Sequence, residues 1–485
     1  MANQRQLEIE PHLYDDEIAL AYAEAPTTPR SGWFRRHGAK FAILAVFLYM
    51  FSTALSVIIT SESVAILGMY LLACVVSVVL LVLSRRDVLG PLGIGTLFYI
   101  LGFVFGIPFR VAEVVTYSGV TVVPSQYVAA LGVSIVAILA YAAGVSFGLH
   151  RAIAPFFRWL TYSPFSLGKP RQWEFIFLLA WVVVGMFTRL SLGVGMAGVL
   201  GFGAQIGYGV QGLIQYLFSG GTMIMRGVFL YRGLGAGRIY FIEFLVVSAA
   251  TILGGILLGW RSAIYGTLFL ILFCFWYQNL RLGKSRRSMI WIVLLACLAP
   301  MTTQLGQSIR VRKAGGEEVY AKTLGGFLKK VALRIDGSFR LAAVLDHEKR
   351  RGHSFLTNDF QIISLFRSGL SSSKYADRNI WGIAEGQMHS VSSSGPGGAF
   401  IGMGLLGVIL GYLVLGAVSR AIYSPIETTR GDPALAVALY IWYVVSLRPL
   451  VTGSFSLILL AKSAVIPLFF IWIAKYLLKK PKVYS

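Results

Sequence analysis

The feature that most constrains this chain is a succession of apolar runs, each about as long as a bilayer is thick. "VAILGMYLLACVVSVVLLVL" (Val64–Leu83) holds no charged residue at all. A helix rises about 1.5 Å per residue, so about twenty residues cross roughly 30 Å of hydrocarbon. Lipid offers no hydrogen bonds to the backbone, and an unbroken apolar run that satisfies its own peptide groups is a helix. Composition agrees with many such runs: 56% of residues are hydrophobic, 13% are charged, and the mean hydropathy is +0.72. Soluble domains carry roughly 25% charged residues.

Twelve runs qualify: 41–59, 64–83, 93–109, 127–147, 174–195, 207–229, 240–259, 262–278, 289–304, 400–418, 434–451 and 454–475. The fold expected is therefore an all-α polytopic membrane protein of about twelve transmembrane helices with one large external loop. The predicted organisation is a tail over 1–40, nine spans within 41–304, the loop over 305–396, three spans within 397–477, and a short tail over 478–485. Residues 1–40 contain no apolar core, so no signal peptide is expected there.

Lysine and arginine accumulate in cytoplasmic loops of membrane proteins, which tests the count. With a cytoplasmic first tail, the inner connections hold Arg85 and Arg86, then Arg151, Arg158, Lys169 and Arg171, then Arg232 and Arg238. Next come Arg281, Lys284, Arg286 and Arg287, then Arg420 and Arg430, and finally Lys475, Lys479, Lys480 and Lys482. Every second connection is basic, so both termini are expected in the cytoplasm. The net charge of +22 follows largely from these connections, and no base-reading motif accompanies it, so a nucleic-acid partner is set aside. Cys74, Cys274 and Cys297 all lie in apolar runs and read as small hydrophobes, with no zinc spacing.

The loop over 305–396 breaks the charge pattern, carrying fourteen lysines and arginines against eight acidic residues on the outer side. Long loops translocate regardless of charge, and long loops commonly carry function. Within it, Leu324, Phe327, Leu328, Val331, Ile335, Phe339, Ala342 and Leu345 recur at helical spacing, interrupted by Gly325, Gly326 and Gly337. This predicts one or two amphipathic helices along the outer membrane surface. "LTNDFQIISLFRSGL" reads as a further short helix capped by Thr357 or Asn358, and "SVSSSGPGG" as a flexible link back to the membrane.

The arginines expected on the outer side are Arg110, Arg189, Arg261, Arg310, Arg312, Arg334, Arg340 and Arg448. Guanidinium offers paired hydrogen bonds and keeps its proton, which suits an anionic substrate such as a pyrophosphate at a membrane surface. Arg261 stands alone in "LLGWRSAIYGTLF" and reads either as a snorkelling turn residue or as an anion contact. Arg448 lies beside Pro449 within a span, where a charge is a functional candidate by default. Asp336 and Arg340 are spaced i, i+4, which predicts a helix ion pair and leaves Arg334 to a substrate.

Candidate proton acceptors in the loop are His347, Glu348, His353, Asp359, Glu385 and His389. No HExxH, DxD, Walker or GxSxG element is present, which argues against zinc proteolysis, metal-bound nucleotide-sugar transfer, ATP hydrolysis and serine hydrolysis. No metal and no cofactor is expected. Glu243, within the seventh run, is the feature a proton-coupled transporter would use.

Several elements together resemble the Wzy-type polymerases of bacterial O-antigen and exopolysaccharide, the oligosaccharide repeat unit polymerases. "GWRSAI" (259–264) has the form of a G-x-R element opening a span, and "RIDGSF" (334–339) resembles the loop's R-D element with one inserted residue. "SSSGPGGAFIGMGLLGVILGYLVLG" (392–416) resembles the glycine-rich span after the loop, and "LRPLVTGSFSLILLAK" (447–462) the arginine before a serine- and phenylalanine-rich segment.

The resemblance implies a class C glycosyltransferase-like membrane fold in the bacterial inner membrane. It also implies transfer of a growing glycan from undecaprenyl pyrophosphate to an incoming undecaprenyl-pyrophosphate-linked oligosaccharide, with inversion and without metal. Membrane lipids and a chain-length regulator protein are the further partners it suggests. Arg261, Arg334 and Arg448 are then expected to bind the diphosphates, with Arg340 and Arg310 next, and Asp336 or His353 to act as base. An O-antigen ligase, suggested by "HSFL" (353–356) and "HS" before the tenth span, and a lipid-linked oligosaccharide flippase are the alternatives.

Overall fold

Helix α1 (Val64–Leu83) presents two apolar faces of different character. Its buried face is Ile66, Tyr70, Ala73, Cys74, Ser77, Leu80 and Leu81. Its exposed face, Leu71, Leu72, Val75, Val79, Val82 and Leu83, is more uniformly aliphatic than the buried one. Water disfavours a surface stripe of this kind, whereas lipid tails are as apolar as leucine and accept it. The computed structural model describes residues 64–84, 87–111, 115–117, 120–161, 208–235, 238–257, 262–282, 336–351, 372–382, 393–428 and 432–452, with isolated positions at 52 and within 176–187.

Over these residues the chain is mostly helical. After α1 come α2 (Pro91–Tyr99), a π-helical turn (Ile100–Val104) and α3 (Ile107–Val111). A hairpin of β1 (Val115–Tyr117) and β2 (Val120–Val122) follows, antiparallel, with Val115 opposite Val122. The hairpin departs from an all-helical expectation, and "VTYSGVTV" explains it: β-branched residues and a tyrosine flank a Ser-Gly pair. Next are α4 (Gln126–Ser146), a 3₁₀ turn (Leu149–Ala152) and α5 (Ala154–Thr161). Then come α6 (Tyr208–Gly235), α7 (Arg238–Leu257), α8 (Ser262–Leu282), α9 (Ser338–Arg351), α10 (Ser372–Asn379), α11 (Gly395–Thr428) and α12 (Pro433–Thr452).

Among the described residues four helical stretches are long and apolar enough to cross a membrane: Val64–Leu83, Pro91–Val111, Gln126–Ser146 and Gly395–Thr428. They fall on the second, third, fourth and tenth runs of the sequence. Shorter apolar helices, Ile239–Gly254, Gly266–Gln278 and Pro433–Leu447, fall on the seventh, eighth and eleventh. Exposed Ile242, Leu245, Val246 and Leu253 on α7, and Leu405, Leu406, Ile409, Leu410 and Val414 on α11, repeat the aliphatic face of α1. The runs at 289–304 and 454–475, all of 41–59 but Ser52, and most of 174–195 lie outside the described residues.

Helices α4 and α11 pack backbone to backbone. A Cβ on Gly144 would stand 2.0 Å from Leu413 O, and one on Gly416 would stand 2.1 Å from Tyr141 O. Small residues at such crossings are how helices associate where the hydrophobic effect gives little. Helix α11 is itself broken: Met403 and Gly404 leave helical geometry, and Gly404 takes φ +62°, where a side chain would be strained. It also starts sooner than composition suggests. Ser393, Ser394, Gly395, Pro396 and Gly397 are buried, with the Gly397 amide donating to Ser394 Oγ at 3.1 Å, so the described part of the expected flexible link, 393–398, is packed structure.

The bundle has two distinct ends. At one, α9 packs on α4, the π turn and the start of α11, burying Phe339, Leu341, Ala342, Ala343 and Val344. This helix begins just after Gly337 and is embedded in the bundle, whereas its amphipathic pattern had suggested a place along the membrane surface. At the other end, Asp87, His150, Arg158, Arg232, Tyr277, Arg420, Tyr423 and Asp432 converge. The described connections that charge alternation assigns to one side therefore gather at one end.

Candidate functional site

The embedded end is built around a break in helical hydrogen bonding. In the π turn the Phe105 amide donates to Ile100 O at 2.8 Å, after which the ladder is interrupted. Gly102 O accepts instead the Gly337 amide, at 2.6 Å, from the start of the loop helix. Such turns recur at functional sites because they release a backbone group for another partner.

One residue earlier, Asp336 divides its two oxygens between local and distant partners. Oδ1 accepts the Ser338 amide at 2.9 Å and the Ser338 hydroxyl, at the first residue of α9. Oδ2 accepts Arg110 Nε at 2.9 Å, forming a salt bridge in which the carboxylate is 0% and the arginine 12% exposed. Arg110 Cζ also stands 4.8 Å from the centroid of Phe339, whose ring stacks on Trp381 at 6.0 Å. Gly106 is what lets Asp336 in, since a Cβ there would stand 2.9 Å from the aspartate side chain. Tyr127, fully buried on α4, lies within electrostatic reach of both Asp336 and Arg110, and its hydroxyl has no hydrogen-bond partner among the described residues.

Arg110 was one of eight outer arginines but not one of the favoured five. The salt bridge of Asp336 thus runs to a residue 226 positions away rather than resting on helical spacing within "RIDGSFR". Arg340 sits on α9, half-buried. Arg448 belongs to α12, of which only the backbone is described at that position. Arg261, Arg310, Arg334 and His353 lie outside the described residues.

A second cluster lies inside the bundle and escaped the reading of the sequence. Arg226 on α6 is 3% exposed. Its Nε donates to Ser248 Oγ on α7 at 3.1 Å, its Nη2 donates to Thr267 Oγ1 on α8, and its Cζ lies 6.0 Å from the Phe244 ring. Among the described residues no carboxylate forms a salt bridge with it. The available signal was the charge itself, in the apolar run "TMIMRGVFLY" (222–231).

The opposite end is held by Asp87. Its carboxylate accepts Trp276 Nε1 at 3.1 Å, the Tyr277 hydroxyl at 3.2 Å, the Tyr423 hydroxyl and the Leu89 amide. Tyr440 closes the ring by donating to Leu89 O at 2.8 Å. Burial holds the Asp87 carboxyl above the usual carboxylate range, and the donors from Tyr423, Trp276, Tyr277 and Leu89 oppose part of that rise. Nearby His150 is pushed below the usual imidazole value by burial and by Arg420, Arg151 and Arg158.

Among the described residues no group of three or more His, Cys, Asp and Glu side chains is placed to hold a metal ion. The described residues offer cationic binding by arginines and proton transfer by isolated carboxyl and imidazole groups. No family model, curated protein or solved structure matches the chain.

Proposed function

We propose that this chain is a polysaccharide polymerase of the bacterial inner membrane, with about twelve spans and a class C glycosyltransferase-like architecture. Its donor is a glycan on undecaprenyl pyrophosphate and its acceptor the sugar of an incoming lipid-linked repeat unit. The observation that carries the reading is the Arg110–Asp336 bridge. It fastens the "RIDGSF" element of the large basic loop onto the end of the membrane bundle, where the headgroup of a lipid-linked substrate would lie.

In this mechanism the acceptor hydroxyl oxygen attacks the anomeric carbon, the bond from that carbon to the pyrophosphate oxygen breaks, and the lipid pyrophosphate leaves. Pyrophosphate is a good leaving group, so the protein mainly positions the two sugars and neutralises the charge that develops. Arg261, Arg334 and Arg448 bind the diphosphates, with Arg340 and Arg310 beside them. Both oxygens of Asp336 are engaged by Arg110 and Ser338, which suits a positioning role. His353 then takes the acceptor proton.

A transporter of the same lipid-linked glycan is the second reading, favoured by the buried Arg226 between three helices. Deleting the gene separates the readings. Loss of a polymerase leaves single repeat units at the cell surface, loss of a flippase exports none, and loss of a ligase leaves polymer on its carrier. Polymer formed by the purified protein from lipid-linked repeat units, and shortened by charge-neutral changes at Arg261, Arg334 and Arg448, is the expected result. Wild-type chain length in all three variants would overturn it.

A further inference from the structure

Helix α5 has the wrong surface for a helix facing water. Ala154, Phe157 and Thr161 turn inward and are buried, while Phe156 and Trp159 on the outer side are 47% and 55% exposed. Their rings lie 6.3 Å apart and form an aromatic ridge, and Phe147 and Leu149, just before the helix, are exposed as well. Eight residues are too few to cross a membrane, and α5 is held at the Asp87 end of the bundle. There Thr161 O accepts the Asp432 amide at 2.8 Å, and the helix packs against α11.

Cations flank the ridge. Around His150 lie Arg151, Arg158 and Arg420. Two arginines of this end are already paired, Arg420 with Glu427 at 2.8 Å and Arg232 with Asp432 at 2.7 Å. Arg151 and Arg158 are exposed and have no salt bridge among the described residues, although Glu427 lies within electrostatic reach of Arg158. The His150 Nδ1 atom is buried there with no hydrogen-bond partner among the described residues. Two exposed guanidinium groups beside an aromatic ridge, at the end of a membrane span, match one chemistry. Aromatic side chains settle at the boundary of headgroup and acyl chain, and basic side chains there meet lipid phosphates.

We propose that α5 and the turn before it form a binding site for an anionic phospholipid, with Arg151 and Arg158 holding the headgroup phosphate and Phe156 and Trp159 seated in the lipid. The site is separate from the glycan chemistry proposed above and stands whether or not that reading holds. A free phosphate ion would use the arginines but leave the aromatic ridge in water, so lipid is the occupant that accounts for both halves.

The test uses the full chain in nanodiscs of phosphatidylcholine with or without phosphatidylglycerol. A spin label on Phe156→Cys, in a chain whose three cysteines are serine, is expected at the headgroup–acyl boundary by oxygen and nickel-complex accessibility; a label in bulk water would overturn the proposal. Phosphatidylglycerol is expected to raise the melting temperature of the wild type and of an Arg151→Lys/Arg158→Lys chain. Arg151→Gln/Arg158→Gln is expected to lose the rise, with retained lipid binding weakened roughly thirty-fold by native mass spectrometry. An unchanged response in the glutamine variant, or an equal rise from inorganic phosphate in phosphatidylcholine alone, would sink the lipid site.

Discussion

Arg110 and Asp336 meet at 2.9 Å across 226 positions of sequence, with the carboxylate wholly buried. Removing one partner leaves the other charge uncompensated. Arg110→Gln is therefore expected to destabilise the detergent-purified protein by about 3–5 kcal/mol, the range for breaking a buried pair. It should also expose α9 to protease at Lys349 and Arg350, its accessible basic residues. Adding Asp336→Asn should recover part of the loss, because the buried charge is gone and an acceptor for Ser338 remains. Melting curves for the two single variants and the double variant measure the coupling. A coupling near zero would mean the bridge does not hold the loop to the bundle.

Arg226 poses a different question, because a buried charge without a counter-charge is costly to desolvate, and an apolar side chain of similar volume removes that cost. Arg226→Met should thus leave the melting temperature equal to the wild type or above it. If the guanidinium serves an anionic substrate, the same change should reduce turnover or transport at least tenfold, and Arg226→Lys should restore only part of it. Full activity in Arg226→Met would reduce Arg226 to a packing residue between α6, α7 and α8.

What the sequence disclosed and what it hid divide along the range of the forces involved. The bounds of α1 match the apolar run 64–83, because hydrocarbon thickness sets the length of such a run directly. The gathering of Arg158, Arg232 and Arg420 at one end was likewise anticipated, since loop charge follows sidedness. The Arg110–Asp336 bridge was hidden, because a contact over 226 positions leaves no mark in local spacing. The release of Gly102 O by a π turn is equally silent in "ILGFV". The described part of "SVSSSGPGG", 393–398, misled for a physical reason: small residues that permit a flexible link also permit close packing, here of Gly397 against Ser394 and Val344. Arg226 was legible as the lone charge of the apolar run 222–231, although nothing local names its partners on α7 and α8.

The crossing of α4 and α11 should be intolerant of added volume. With Leu413 O and Tyr141 O so close to the Cβ positions of Gly144 and Gly416, a side chain at either site must push two backbones apart. Gly144→Leu and Gly416→Leu are expected to cost at least about 1–3 kcal/mol each, the usual range for overpacking. Since backbone cannot repack as a side chain does, most of the protein should be lost to aggregation. Gly68→Ala on α1, where no atom lies within 4 Å of the added carbon, is the matched control and should purify normally. Size-exclusion profiles of the three variants decide this, and monodisperse Gly416→Leu protein at wild-type yield would contradict the crossing.

Asp87 makes stability depend on pH in a direction opposite to that of an ordinary salt-bridged carboxylate. Burial raises its value in the folded chain above that in the unfolded chain. Between those two values the folded state binds more protons, so stability falls as pH rises through that window and is greatest below it. Asn at this position accepts hydrogen bonds without carrying the charge. Asp87→Asn is therefore expected to melt higher than the wild type at alkaline pH, with the gap closing as pH falls toward the ordinary carboxylate range. The four donors from Trp276, Tyr277, Tyr423 and Leu89 limit the size of the gap, because they favour the ionised form and are weaker toward an amide. Thermal unfolding of both proteins across a pH series measures it. A gap independent of pH, or an Asp87→Asn protein that melts below the wild type at alkaline pH, would show that hydrogen bonding outweighs burial at this site.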